Sequence, residues 1–138
     1  MSQPRNVVQI LCVALIACTS LSARAADHPI VTPLMQKPLA DIDGKEVLML
    51  LVEYPPRGAD PVHRHDAHGF IYVLEGSIVM QVKGGKEVTL TSGQTFYEGP
   101  EDVHTVGRNA SSTVPAKFVV LLLKDTGAEP MLPEESSP

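Results

Sequence analysis

Every apolar segment between residues 46 and 124 is short and stops at Gly, Pro or charged residues. Residues 46–54 end at Pro55-Pro56-Arg57-Gly58, residues 70–75 at Gly76, and residues 77–82 at Lys83-Gly84-Gly85-Lys86. Residues 87–91 end at Ser92-Gly93 and residues 95–98 at Gly99-Pro100, and residues 103–106 and 116–124 complete the series. No stretch keeps a 3.6-residue apolar period over three turns, which argues against a helical core. Short β-branched and aromatic runs punctuated in this way predict seven to nine strands. The expected fold is all-β, a small antiparallel β-barrel or jelly roll covering residues 46–124.

Local chemistry sharpens this expectation. Gly84-Gly85 is placed to supply the positive φ angles of a tight primed hairpin turn. Ile78, Met80 and Val82 then share one face, with Val88 and Leu90 across the turn, so one side of the hairpin faces the core. Asp43-Gly44 signals another hairpin. Pro29 and Pro33 exclude a helix from residues 26–45, which read as an extended N-terminal arm. Residues 125–138 are acidic and Pro-rich and read as a flexible tail.

The N-terminus has a different character. An apolar run from Val7 to Cys18 follows Arg5, and Ala23-Arg24-Ala25 follows the run. The run falls short of the roughly 20 apolar residues that span a bilayer. The order of basic residue, apolar run and small-x-small site predicts a signal peptide over residues 1–25 and a mature chain starting at Ala26. The expected location is periplasmic or secreted. Leu15-Ile16-Ala17-Cys18 also fits a lipobox, so a lipoprotein anchored through Cys18 is the alternative. Conventional cleavage removes both cysteines, Cys12 and Cys18, and leaves a domain with no disulfide that its core alone must stabilise. It also removes Arg5 and Arg24, making the balance more acidic than the −5 of the full chain. That disfavours nucleic acid and anionic membranes as partners, apart from a lipid anchor at Cys18.

Three of the five histidines fall within His63-Arg64-His65-Asp66-Ala67-His68, just before the strand at residues 70–75. His63 and His65 are two apart, so on extended backbone both project from one face, as a metal site requires. A fourth, His104, sits in the short segment 103–106, and His28 lies in the arm. Glu53, Glu75 and Glu98 stand at strand ends and read as solvated or structural. Tyr54, Tyr72 and Tyr97 read as half-buried structural tyrosines.

Taken in order, His63-x-His65, the ending Tyr72-Val73-Leu74-Glu75-Gly76, the hairpin, Gly93 and His104 resemble the cupin superfamily. The chain looks like a small single-domain, type-2-like cupin with a secretion signal, and the resemblance covers the whole folded part. The family's first motif places a Glu three or four residues after the second His. Here that position is Gly69 or Phe70, so the expected carboxylate is missing. In the second motif Gly93 and His104 are in register, while Pro100 and Asn109 are each displaced by one. The resemblance implies a metal site in the barrel mouth held by His63, His65 and His104. His68 stands one place before the missing Glu and is a candidate fourth ligand, provided Gly69 lets the backbone turn residue 68 inward.

Imidazole donors suit Fe, Mn, Ni, Cu or Zn. Two functions follow from the resemblance. One is a metal-dependent enzyme, an oxygenase, isomerase or lyase, acting on a small organic molecule. The other is a non-catalytic module that binds or senses a small ligand or the metal. An edge strand on so small a barrel also makes a homodimer an expected partner state.

Overall fold

The computed structural model describes residues 28–134. The expected signal peptide, the cleavage before Ala26 and the lipidation at Cys18 lie outside the described residues.

Among the described residues ten strands follow one another: β1 (Ile30–Pro38), β2 (Lys45–Tyr54), β3 (His63–Arg64), β4 (His68–Glu75), β5 (Ser77–Val82), β6 (Val88–Thr91), β7 (Thr95–Glu98), β8 (His104–Asn109), β9 (Ala116–Asp125) and β10 (Leu132–Pro133). They form two five-stranded sheets with the orders β1-β2-β9-β4-β7 and β10-β3-β8-β5-β6. All pairings are antiparallel. The fold is the expected all-β jelly roll.

The side-chain period of two sets the core. Alternate residues of β9, from Ala116 through Phe118, Val120 and Leu122, are buried. Opposite them on β2 lie Val52 and Leu48, in the register Val52↔Phe118 and Leu48↔Leu122. Ile71 and Val73 of β4 and Ile78 and Met80 of β5 close the same cluster. Tyr54 packs edge-on against Phe118 with ring centroids 4.9 Å apart. Burying a side chain such as Phe118 stabilises the fold by about 1.5–3 kcal/mol.

Two loop devices hold the strand ends. Gly76 turns β4 into β5 at φ +72°, and a Cβ there would stand 2.6 Å from the Pro115 carbonyl oxygen, so only glycine fits. Buried Asn109 donates from Nδ2 to the carbonyls of Pro55 at 3.0 Å and Val114 at 2.9 Å, and its Oδ1 accepts from Ser111 N at 2.8 Å. The Asn displaced from its motif position therefore acts as a latch between loops.

Three local expectations meet a different outcome. The β5–β6 hairpin has a longer loop than a two-residue turn, because the register ends at Met80↔Val88. Only Gly84, at φ +81°, is left-handed, and Gly85 is not. The expected arm carries β1, which pairs along β2 at the sheet edge. Its Pro33 falls at a register shift, where a missing N–H costs no ladder bond. The expected tail is tied down where β10 pairs with β3 through Leu132↔Arg64 and Pro133↔His63.

Candidate metal centre

Strands β3 and β8 bring the histidines together. His63 lies directly opposite His104 in their pairing, with ring centroids 4.9 Å apart. His65 follows at the end of β3, and its Nε2 is 3.1 Å from that of His63. One donor nitrogen from each of the three lies within 4.8 Å of the others. Ligands about 2.0–2.1 Å from one ion stand roughly 3.0–3.4 Å apart, so the 3.1 Å His63–His65 pair has the spacing of a loaded site, whereas the full 4.8 Å span must close to grip an ion. His63 and His104 are 3% and 4% exposed.

A fourth group crosses from the other sheet. Glu98, at the end of β7, is 3% exposed. Its Oε1 is 3.2 Å from His65 Nε2 and its Oε2 is 3.7 Å from His104 Nδ1. The expectation of a solvated or structural Glu98 is therefore corrected. Strand parity contains the missed signal: Phe96 and Glu98 share the inward side of β7, whereas Thr95 and Tyr97 face out.

His68 does not join the cluster, a second correction. It is exposed at the start of β4, and its Nδ1 is 2.7 Å from the Tyr97 hydroxyl. No turn at Gly69 carries it inward. The strand stays regular there, so neighbours 68 and 69 face opposite sides. The backbone bends earlier, at Asp66, where φ is +46°. His28 is exposed, far in sequence from the cluster.

Hydrogen positions follow from the partners. His63 Nδ1 faces the Pro61 carbonyl at 2.8 Å and His65 Nδ1 faces the Pro130 carbonyl at 2.5 Å. A carbonyl only accepts, so each Nδ1 carries its hydrogen and each Nε2, in the neutral ring, presents a lone pair. Two lone pairs thus point at each other, with a carboxylate oxygen beside them. Glu98 Oε2 and both nitrogens of His104 have no hydrogen-bond partner among the described residues. Buried polar atoms left this way are costly unless something fills the gap. A proton relieves part of it. Burial disfavours the His65 imidazolium, but the Glu98 carboxylate and the Pro130 carbonyl outweigh it and raise the His65 pKa. Burial likewise works against ionised Glu98, and His65, with His104 and His63, outweighs it and lowers the pKa. His104 is held neutral, chiefly by burial. A cation among the four groups would take the lone pair of one His104 nitrogen and of Glu98 Oε2, two of the three orphaned atoms.

The C-terminal strap supports this centre. Arg64 Nε pairs with Glu134 at 2.6 Å, Glu134 N donates to the Val62 carbonyl at 3.1 Å, and Pro130 fixes the His65 ring. A cavity of about 280 Å³ opens beside the histidines, walled mainly by Leu50, Val52, Ile71, Phe118 and Val120. Asp60 also faces it. Its Oδ2 accepts a hydrogen bond from the Tyr54 hydroxyl, which burial, and Asp60 itself, keep firmly protonated. A Cβ at Gly107 would strike His104 at 2.9 Å and crowd Tyr54 and Asp60 at 3.1 and 3.2 Å, so this glycine lets the carboxylate lie near the centre. Asp60 carries no motif in the sequence, and only the folded loop brings it there.

Comparison with known proteins agrees with this architecture. The Cupin domain family matches residues 50–122, and the chain belongs to that family. A conserved protein with a double-stranded β-helix domain from Klebsiella pneumoniae superposes with a TM-score of 0.62 at 15% identity, over 80% of this chain and 90% of that one. The DMSP lyase DddQ from Ruegeria pomeroyi gives 0.57 at 21% identity over 67% of this chain, which spans only 45% of the lyase. A putative mannose-6-phosphate isomerase from Ralstonia eutropha gives 0.55 at 14% identity, over 72% of this chain and 88% of that one. At such identities the likeness is one of fold. No curated protein matches the sequence.

Proposed function

We propose that this cupin holds one divalent transition metal, Fe, Mn, Ni, Cu or Zn, through His63, His65 and His104, and acts on a small organic molecule in the adjoining cavity. The observation that carries this is the convergence of one nitrogen from each of three histidines within 4.8 Å, beside a buried carboxylate oxygen with no hydrogen-bond partner among the described residues. A bound metal supplies Lewis acidity toward an oxygen of the substrate. The apolar walls exclude water and take up a carbon skeleton, and Asp60, its Oδ2 held by the Tyr54 hydroxyl, is the cavity-facing carboxylate available to take a proton from the bound substrate. Those roles suit a lyase or isomerase better than simple storage, and they leave an oxygenase open. The apolar wall opposite the histidines supports a second reading, a metal-dependent binding or sensing module without turnover. The sequence of residues 1–25 supports export to the periplasm or beyond, with the Cys18 lipoprotein as the other route. Exposed Phe70, Tyr72 and Tyr97 on the outer face support a homodimer, which light scattering tests directly; a monomer at all concentrations removes it.

The test is elemental analysis of protein purified from an exporting host. One metal per chain is expected, and the His63→Ala/His65→Ala/His104→Ala variant should carry essentially none while keeping its β-rich circular dichroism. Equal metal in that variant overturns the proposal.

A further inference from the structure

Of the two positions where the first motif places its Glu, Gly69 and Phe70, Gly69 pairs directly with Glu98 on the neighbouring strand. The two residues compete for one volume. A Cβ built on Gly69 would stand 2.8 Å from Glu98 Cγ and 3.0 Å from its Oε1. The space that a side chain at 69 would enter is thus filled by the carboxylate of residue 98. Nothing in the backbone demands glycine there, since Gly69 is outside the left-handed region. Its bareness is explained by the neighbour it makes room for.

We infer that the carboxylate of this centre has moved one strand sideways, and that Glu98 of β7 is the fourth metal ligand. The inference rests on the three-histidine reading above and deepens it. Glu98 is 97% buried by side-chain exposure, its Oε1 is 3.2 Å from one proposed ligand nitrogen and its Oε2 is 3.7 Å from another. Oε2 has no hydrogen-bond partner among the described residues. It enters from the sheet opposite the histidines, so the donors close on the ion from two sides. One added negative charge makes the site harder than three imidazoles alone and favours divalent over monovalent ions.

Co²⁺ is the probe, because its visible spectrum reports ligand number and type. The full chain is titrated as wild type, Glu98→Gln, Glu98→Ala and the swap Gly69→Glu/Glu98→Ala. Glu98→Gln, nearly isosteric, should weaken Co²⁺ at least tenfold and shift the d–d bands. Glu98→Ala should do the same, and the swap should recover much of the affinity by returning the carboxylate to β4. Wild-type affinity and an unchanged spectrum in Glu98→Gln overturn the transposition while leaving the three-histidine site standing. Absence of Co²⁺ binding by wild type overturns both. Should the swap fold poorly by circular dichroism, Glu98→Gln alone decides.

Discussion

Two glutamates are buried in this barrel to nearly the same depth, Glu46 at 2% exposure and Glu98 at 3%, and they are treated in opposite ways. Glu46 is fully partnered. Its Oε1 accepts from Lys124 Nζ at 2.5 Å and Gly127 N at 3.2 Å, and its Oε2 accepts from Gln36 at 3.0 Å. Lys124 spends its remaining protons on the carbonyls of Ala128 at 2.6 Å and Asp125 at 3.3 Å. Glu98 has Oε1 3.2 Å from His65 Nε2, while its Oε2 lies 3.7 Å from His104 Nδ1 with no hydrogen-bond partner among the described residues. A closed ion pair fixes the register of β2 on β9 and the turn after β9. An open set of donors is left for a ligand. Burial alone does not separate structural from functional carboxylates here, whereas counting their hydrogen-bond partners does.

The largest expected effect comes from breaking the closed pair. Lys124→Met strands Glu46 as an unpaired buried charge and should lower Tm by more than about 10 °C. Glu46→Gln/Lys124→Met should recover a good part of that loss, and neither variant should change metal content. Calorimetry with elemental analysis checks this; a metal-free Lys124→Met that still folds would tie the two clusters together.

Filling the open set comes next. Metal at a hundred times its dissociation constant should stabilise the wild type by about 2.7 kcal/mol, and should do nothing for His104→Ala. Thermal melts with and without metal and chelator give the comparison. A smaller effect follows for Glu98→Gln without metal, where stability should stay within about 1 kcal/mol of wild type or rise. The amide can donate to a histidine lone pair that the carboxylate cannot satisfy. Denaturant melts of the apo protein measure it, and a loss of several kcal/mol would make Glu98 a second structural carboxylate.

The smallest effect is on acid stability. The Lys124 and Gln36 bonds lower the Glu46 pKa from 4.5 to about 2. A depressed carboxylate pKa means that the folded form binds fewer protons, so its stabilisation is complete above 4.5 and is lost as pH falls toward 2. Apo wild type should lose stability through that window. Glu46→Gln/Lys124→Met should show a shallower acid limb in urea melts at stepped pH, and an unchanged limb would assign it to other groups.

Most of the fold was legible because strand formation here is local. Alternation and Gly/Pro punctuation recur within each segment, so β2, β4, β5, β7 and β9 follow from their own residues. His63, His65 and His104 were legible because HxH on extended backbone shares a face. Glu98 was not, because its partner Gly69 is fixed by cross-strand register, which no local pattern encodes. His68 departs from expectation for a related reason: the bend falls at Asp66, which takes the left-handed angle that aspartate tolerates, and not at Gly69. β10 has only two residues and exists through its pairing to β3, so its Pro-rich sequence carries no strand signal of its own.

The strap also sets an order of events. A chain is made from its N-terminus, and His65 receives the carbonyl that fixes its tautomer from Pro130, 65 residues later. At about 5–20 residues per second the two emerge roughly 3–13 s apart. During that interval the barrel's first histidines exist without the contact that aims one of them. The centre is therefore complete only once residue 130 has joined the fold, and a chain ending before it would hold the His65 ring without that carbonyl.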